Sequence, residues 1–179
     1  MPDEAISLVD HDAAWVARFA EQASRLSALL GQLLAGPIEH VGSTAVPGLR
    51  AKPIVDLLAP VTSLAAARNT IPRLTADGWL FWPDDPNGSY RLWFLRPRPD
   101  TRTHHLQIIA HDHPAARALI VFRDALREDP DLRDGYAALK QQLAARHRND
   151  RDAYTNAKAD FVRAVLRDRG AAEPPRLPL

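Results

Sequence analysis

The spacing of apolar residues changes period twice along the chain, and this limits the fold more than any other feature. Over residues 12–34 they recur every three or four positions, at Val16, Phe19, Ala23, Leu26, Leu30 and Leu33. That is the pattern of an amphipathic helix, with Asp10 or Asp12 placed to cap its start and Gly36-Pro37 to end it. From there to residue 110 the apolar stretches are short and bounded by turn residues. Residues 38–41, 54–58, 79–82, 90–95 and 104–110 read as strands, the last two paired through the 97–103 connection. One helical stretch interrupts them at 64–75, crossed by Pro72 and closed by Asp77-Gly78. Beyond Pro114 the helical period returns in three stripes: Leu119/Phe122/Leu126, Leu132/Tyr136/Leu139/Leu143 and Tyr154/Phe161/Val165. Breaks fall near Asp129-Pro130 and Asn149-Asp150. Helix, four or five strands, then helices is the order of an α+β domain, a sheet packed by an N-terminal helix and a C-terminal helical layer.

The chain of 179 residues fits one domain with a sizeable core. Residues 1–170 are expected to form it, with 171–179, three prolines in nine residues, as a disordered tail. The sequence has no cysteine, which removes disulfides and thiolate chemistry and leaves oxygen and nitrogen as metal ligands. No apolar run approaches the roughly 18 residues that cross a bilayer. The acidic start Met-Pro-Asp-Glu lacks the apolar segment of a secretory signal, so the expected location is the cytoplasm. A net charge of +1 gives no global attraction to nucleic acid. Basic charge is mostly arginine; the lysines are Lys52, Lys140 and Lys158.

Chemistry concentrates in the stretch from His40 to Leu58. Gly42-Ser43 makes a turn after a strand, where backbone N–H groups can face an anion and the Ser43 and Thr44 hydroxyls can donate to phosphate oxygens. Asp56 sits inside an apolar strand, where a carboxylate needs a partner or a metal. Lys52 can balance it or reach a phosphate. An ordinary turn followed by an aspartate paired with an arginine fits the same residues.

The string His-Val-Gly-Ser-Thr-Ala-Val-Pro-Gly-Leu-Arg-Ala-Lys-Pro-Ile-Val-Asp over 40–56 resembles the GrpB family of the nucleotidyltransferase superfamily. The likeness continues through Thr-His-His-Leu-Gln (103–107), Phe-Arg-Asp-Ala-Leu-Arg (122–127), Tyr-Ala-Ala-Leu-Lys (136–140) and Tyr-Thr-Asn-Ala-Lys (154–158). It covers nearly the whole chain. The resemblance implies a nucleotidyltransferase-like mixed β-sheet of four to six strands and a nucleotide or other phosphorylated small molecule as ligand. It also implies Mg2+ or Mn2+ as a cofactor of metal-dependent nucleotidyl or phosphate transfer. Related domains are fused behind some dephospho-CoA kinases, which implies the alternative of a non-catalytic accessory or interaction domain.

Active members of that superfamily carry two strand carboxylates two residues apart, on one sheet face, so that a pair of metal ions about 3.5–4 Å apart can be held. The partner position here is Leu58, and the expected neighbouring strand offers His105 and Gln107 instead of a third carboxylate. GrpB-like sequences often read His-x-His there, so Gln107 is a second departure. The site expected from these residues is mixed: Asp56 as acceptor or metal ligand, His105 as ligand or general base, Gln107 as an orienting hydrogen-bonder. Gly42, Ser43, Thr44, Lys52, Arg123 and Lys140 would hold the ligand.

Four further features have two readings each. His104, His105, His111 and His113 could suggest a metal centre, but strand alternation separates the first two, and His113 or Asp112 before Pro114 fits a helix start. Tyr136/Lys140 and Tyr154/Lys158 each share a helix face; their lysines either meet phosphates or extend to water past packed tyrosines. Arg123 is a phosphate clamp or the partner of Asp124. Trp79, Trp82 and Trp93 stack a base or fill the core.

Overall fold

A computed structural model describes residues 5–173 of the chain. Its centre is a five-stranded mixed sheet, within the expected four to six: β1 (Glu39–Val41), β2 (Val55–Val61), β3 (Leu80–Phe81), β4 (Arg91–Arg96) and β5 (His104–Ala110). The spatial order is β1-β2-β5-β4-β3. β2 and β5 run parallel, and the other neighbours antiparallel. β2 runs three residues past its expected end, through Pro60. The Pro60 carbonyl accepts from Ala35 N, so its nitrogen also points to that side, past the end of β1, where the ladder needs no donor.

One face of the sheet is covered by α1 (Ala14–Leu30) with the short helices α2 (Leu64–Ala67) and α3 (Ile71–Ala76). Trp15, Leu26, Leu30, Ala67 and Leu74 pack there on Val55, Leu57, Ala59, Leu106 and Ile108. The buried stripe of α1 runs through Trp15 and not Val16, which is 60% exposed. Asp12 accepts from Ala14 N at 2.9 Å, as a cap should. The helix stops at Gly31, whose φ of 54° is open to glycine, earlier than Gly36-Pro37 suggested. The expected single helix over 64–75 is α2, a 3-10 turn at Arg68–Thr70, and α3, with Pro72 in the first turn of the last. Proline lacks the N–H that an uninterrupted helix would require there.

The other face carries α4 (Pro114–Glu128), α5 (Pro130–Arg146), α6 (Arg151–Ala157) and α7 (Ala159–Asp168). Pro114, Asp129-Pro130 and Asp150 set the starts, and His113, Asp129 and Asp150 each accept a cap hydrogen bond. The third apolar stripe spans two helices, with Lys158 at the joint. α4 buries Val41, Leu58 and Ile109 beneath Ala116. Val46, Leu49, Leu126 and Tyr136 join the loop after β1 to α4 and α5. Of the expected tail, residues 174–179 lie outside the described residues.

Candidate functional site

Strand alternation and register assemble the site on the face that also carries α4. Asp56 lies opposite His105 across the parallel β2–β5 pair, and Leu58 opposite Gln107. His105 Nδ1–H donates to Asp56 Oδ1 at 2.9 Å. Burial holds the imidazole below its usual value, against the upward pull of Asp56 and with smaller downward pushes from Lys52 and Arg102. At neutral pH the imidazole is therefore uncharged. Its Nε2 is buried without a hydrogen-bond partner, leaving an acceptor lone pair. Trp93 meets the ring edge-on at 5.4 Å and fixes its plane.

Gly42 shapes the other side of Asp56. Its φ is 73°, and a Cβ built on it would stand 2.5 Å from Asp56 Oδ2. The turn thus presses its backbone against the carboxylate, which only glycine permits. Ser43 follows as the first residue of a 3-10 turn, and its hydroxyl bonds to the Tyr136 phenol. No local pattern around Ser43 or Tyr136 points to that contact.

The helical layer brings the lysines to the same place. Lys52 Nζ lies 5.3 Å and Lys158 Nζ 4.2 Å from the centroid of the Tyr154 ring, while Lys140 Nζ lies 5.0 Å from that of Tyr136. All three lysines of the sequence therefore meet a wall of two tyrosines, one of which touches Ser43. Burial raises both phenols, Tyr154 to about 12 and Tyr136 further, so both are neutral at pH 7.

Several expected site residues are turned to structural use. The Thr44 hydroxyl donates to the Ile54 carbonyl and accepts from His40 Nε2, both at 3.0 Å, inside the protein. The 3-10 turn points it at the start of β2. Arg123 is 8% exposed and donates to Glu39 Oε2 (2.6 Å), the His40 carbonyl (2.9 Å) and Asp124 Oδ1 (2.7 Å). It ties α4 to β1. Gln107 Oε1 accepts from Arg91 at 2.9 Å, and Arg91 is held by Asp85 at 2.6 Å. Gln107 thus shares the sheet face of Asp56 but serves a separate network. Lys140 donates to the Arg50 carbonyl and is buried, so it stands behind the surface it was expected to form. Trp79 is core, and Trp93 lies between His105 and Arg91.

The remaining histidines are dispersed. His104 faces the opposite side of the sheet, against Trp79. His113 accepts from Ala115 N as the cap of α4, and His111 contacts the Val61 carbonyl at 3.3 Å. Among the described residues no group of three His, Asp or Glu side chains could hold a metal ion. Asp56 and His105 are two donors already bonded to each other, and Leu58, fully buried, fills the second carboxylate position with core. This donor set does not fit a two-metal centre.

The sequence matches the family described as GrpB protein over residues 5–168. It is 38% identical over 169 residues to the UPF0157 protein PA4798 of Pseudomonas aeruginosa, covering 92% of this chain and 67% of that protein. A dephospho-CoA kinase of Mycolicibacterium paratuberculosis is 31% identical over 185 residues, 90% of this chain and 45% of the kinase. The chain also spans about half the length (47%) of another bacterial relative that it matches. Among solved structures, that of the conserved protein GrpB from Enterococcus faecalis superposes with a TM-score of 0.82 at 31% identity, covering 90% of this chain and 96% of the other. The chain belongs to the GrpB family.

Proposed function

We propose that this member of the GrpB family binds a nucleotide or another phosphorylated small molecule where Gly42, Ser43 and Asp56 meet Lys52 and Lys158. One observation carries the reading: the three lysines, from the loop before β2, from α5 and from the end of α6, converge on two neutral tyrosines beside the Ser43 turn. Concentrated positive charge beside hydroxyl donors suits a phosphate group. Asp56, 27% exposed at its side chain, supplies an acceptor for a hydroxyl or amino group elsewhere on the ligand.

Beside Asp56 the site holds one candidate base, the buried His105. Asp56 holds His105 with Nδ1 protonated, and Nε2 is then the basic atom. A divalent ion such as Mg2+ or Mn2+ would enter with the ligand's phosphates, since the protein contributes at most two donors. Two-metal nucleotidyl transfer is not part of this reading.

The second reading is a non-catalytic accessory or interaction domain. It is favoured by Leu58, buried under α4 in the position of the missing carboxylate, and by the likeness to 45% of a dephospho-CoA kinase.

Thermal unfolding with ATP, GTP, CTP and CoA, each with and without Mg2+ or Mn2+, separates the two. A compound at 100 times its Kd should add about 2.7 kcal/mol, and Ser43→Ala and Asp56→Ala should diminish the shift. No shift with any compound, or a shift that both variants retain, would leave the accessory reading.

A further inference from the structure

A guanidinium can only donate, so the end of the Gln107 amide that faces Arg91 is its oxygen. That bond, 2.9 Å from Arg91 Nη1 to Gln107 Oε1, fixes which way the amide is turned. Arg91 is itself held in place. Buried Asp85 accepts from its Nε at 2.6 Å and its Nη2 at 2.8 Å, and its guanidinium lies 5.0 Å from the centre of the Trp93 ring. Asp85 also accepts from Asn87 N at 3.2 Å, so the loop between β3 and β4 supports this chain of bonds from behind. The carbonyl end of Gln107 is engaged inside the protein, and the NH2 end points the other way.

The sheet around that NH2 group stays partly open to solvent. On β4 and β5 the residues toward α1, Leu92, Phe94, Leu106 and Ile108, are fully buried. On the other face Arg91, Trp93, His105 and Gln107 are half-buried, while α4 covers Leu58 and Ile109 beside them. Asp56, also half-buried, shares this face. It stands opposite His105, one strand over from Gln107 and two residues back. Strand spacing and rise put the Cα atoms of Asp56 and Gln107 roughly 8 Å apart, within the span of a nucleoside.

We propose that Gln107 reads the organic part of the ligand. Its NH2 group donates to a ring nitrogen or carbonyl oxygen of a nucleotide base whose phosphates lie at the Ser43 turn. Arg91, oriented by Asp85, is the positioning residue that keeps this donor turned outward. The proposal rests on the phosphate-binding reading above and narrows its ligand to a nucleotide. An unconstrained amide can turn over and offer oxygen or nitrogen alike. Here the turned amide would set its NH2 against the guanidinium, donor against donor, and lose the bond to Arg91. The site therefore offers a donor at this place, and a ligand without an acceptor there forgoes the bond.

The test compares ATP, GTP and CTP with sodium tripolyphosphate, which carries the phosphates and no base. Each is titrated calorimetrically into the full chain at fixed pH and Mg2+ concentration. The quantity read is the ratio of the nucleotide's affinity to that of tripolyphosphate. At least one nucleotide should bind more tightly than tripolyphosphate, and Gln107→Met should cut the ratio roughly three- to tenfold. Arg91→Lys keeps a charge for Asp85 but loses the planar fork, and should cut the ratio too. The double variant should lose no more than Gln107→Met alone, whereas a purely structural role for Arg91 would add its own loss. Should Gln107→Met not fold, Gln107→Glu keeps an acceptor for Arg91, lacks the donor and gives the same comparison. The proposal is overturned by a ratio that the Gln107 or the Arg91 variant leaves unchanged, or by losses that add in the double variant. Nucleotides that bind no better than tripolyphosphate overturn it as well. If Ser43→Ala weakens tripolyphosphate binding in any of those cases, the phosphate-binding reading stands. If neither nucleotides nor tripolyphosphate bind, both fall.

Discussion

Gly42 and Asp56 are in contact so close that no other residue fits at position 42: a Cβ there would come within 2.5 Å of Asp56 Oδ2. The turn after β1 and the carboxylate on β2 are therefore one unit, and the carboxylate is aimed at His105 by the backbone on its other side.

Gly42→Ala should displace that carboxylate and strain a backbone held at φ 73°. A loss of about 1–3 kcal/mol in urea unfolding is expected. NMR of the His105 ring nitrogens should show the Nδ1–H bond to Asp56 weakened. An alanine variant with unchanged stability and an unchanged ring would contradict this account of the turn.

Leu58→Asp, which places a second carboxylate two residues after Asp56 on the same sheet face, should fail to create a metal site. Leu58 is packed with Val41, Ile109 and Ala116 under α4, so the new carboxylate would be buried without a partner. We expect a loss of at least about 3 kcal/mol, and no stabilisation on adding Mn2+. A folded variant that Mn2+ stabilises would show that the position is open to metal after all.

Arg123 anchors β1 to α4 through Glu39 and the His40 carbonyl. Arg123→Met leaves Glu39 without its partner and should cost about 3 kcal/mol. Adding Glu39→Gln should recover part of the loss, while nucleotide-induced thermal shifts persist in both variants. Equal stability of the single and double variants would show that the ion pair is not what holds β1.

His40 is stacked on Phe19 at 4.7 Å, and burial lowers it from 6.5 to about 4. As pH falls from 6.5 toward 4, the unfolded chain binds a proton that the folded protein refuses, so stability drops across that window. A loss on the order of 2 kcal/mol is expected between pH 7 and 4.5. Urea midpoints at the two pH values should fall further in the parent protein than in His40→Phe, and equal falls would assign the acid sensitivity to other groups.

Much of this arrangement can be read from the sequence because it depends on local periods. Alternation along residues 104–110 puts His105 and Gln107 on one face and His104 on the other, and the strand register bears this out. The helix starts at Pro114, Pro130 and Arg151 follow from prolines and capping aspartates whose effects reach only a few residues. Where local signals conflict, the reading is less sharp. Val16 and Trp15 both suit an apolar stripe of α1, and the fit of the larger ring against the sheet decides between them.

The roles of individual polar side chains were beyond such signals. Nothing near Arg123 in the sequence announces Glu39, 84 residues away, and nothing near Tyr136 announces Ser43. The family, the helix–strand order and the isolation of Asp56 beside Leu58 were determined by the sequence alone, since they rest on residue identity and short-range spacing. Only the tertiary structure decided that Thr44, Arg123 and Gln107 serve internal hydrogen bonds, and that three lysines from distant segments share one tyrosine wall. Burial and long-range pairing set those outcomes, and both exist only once the sheet and the helical layer have closed on each other.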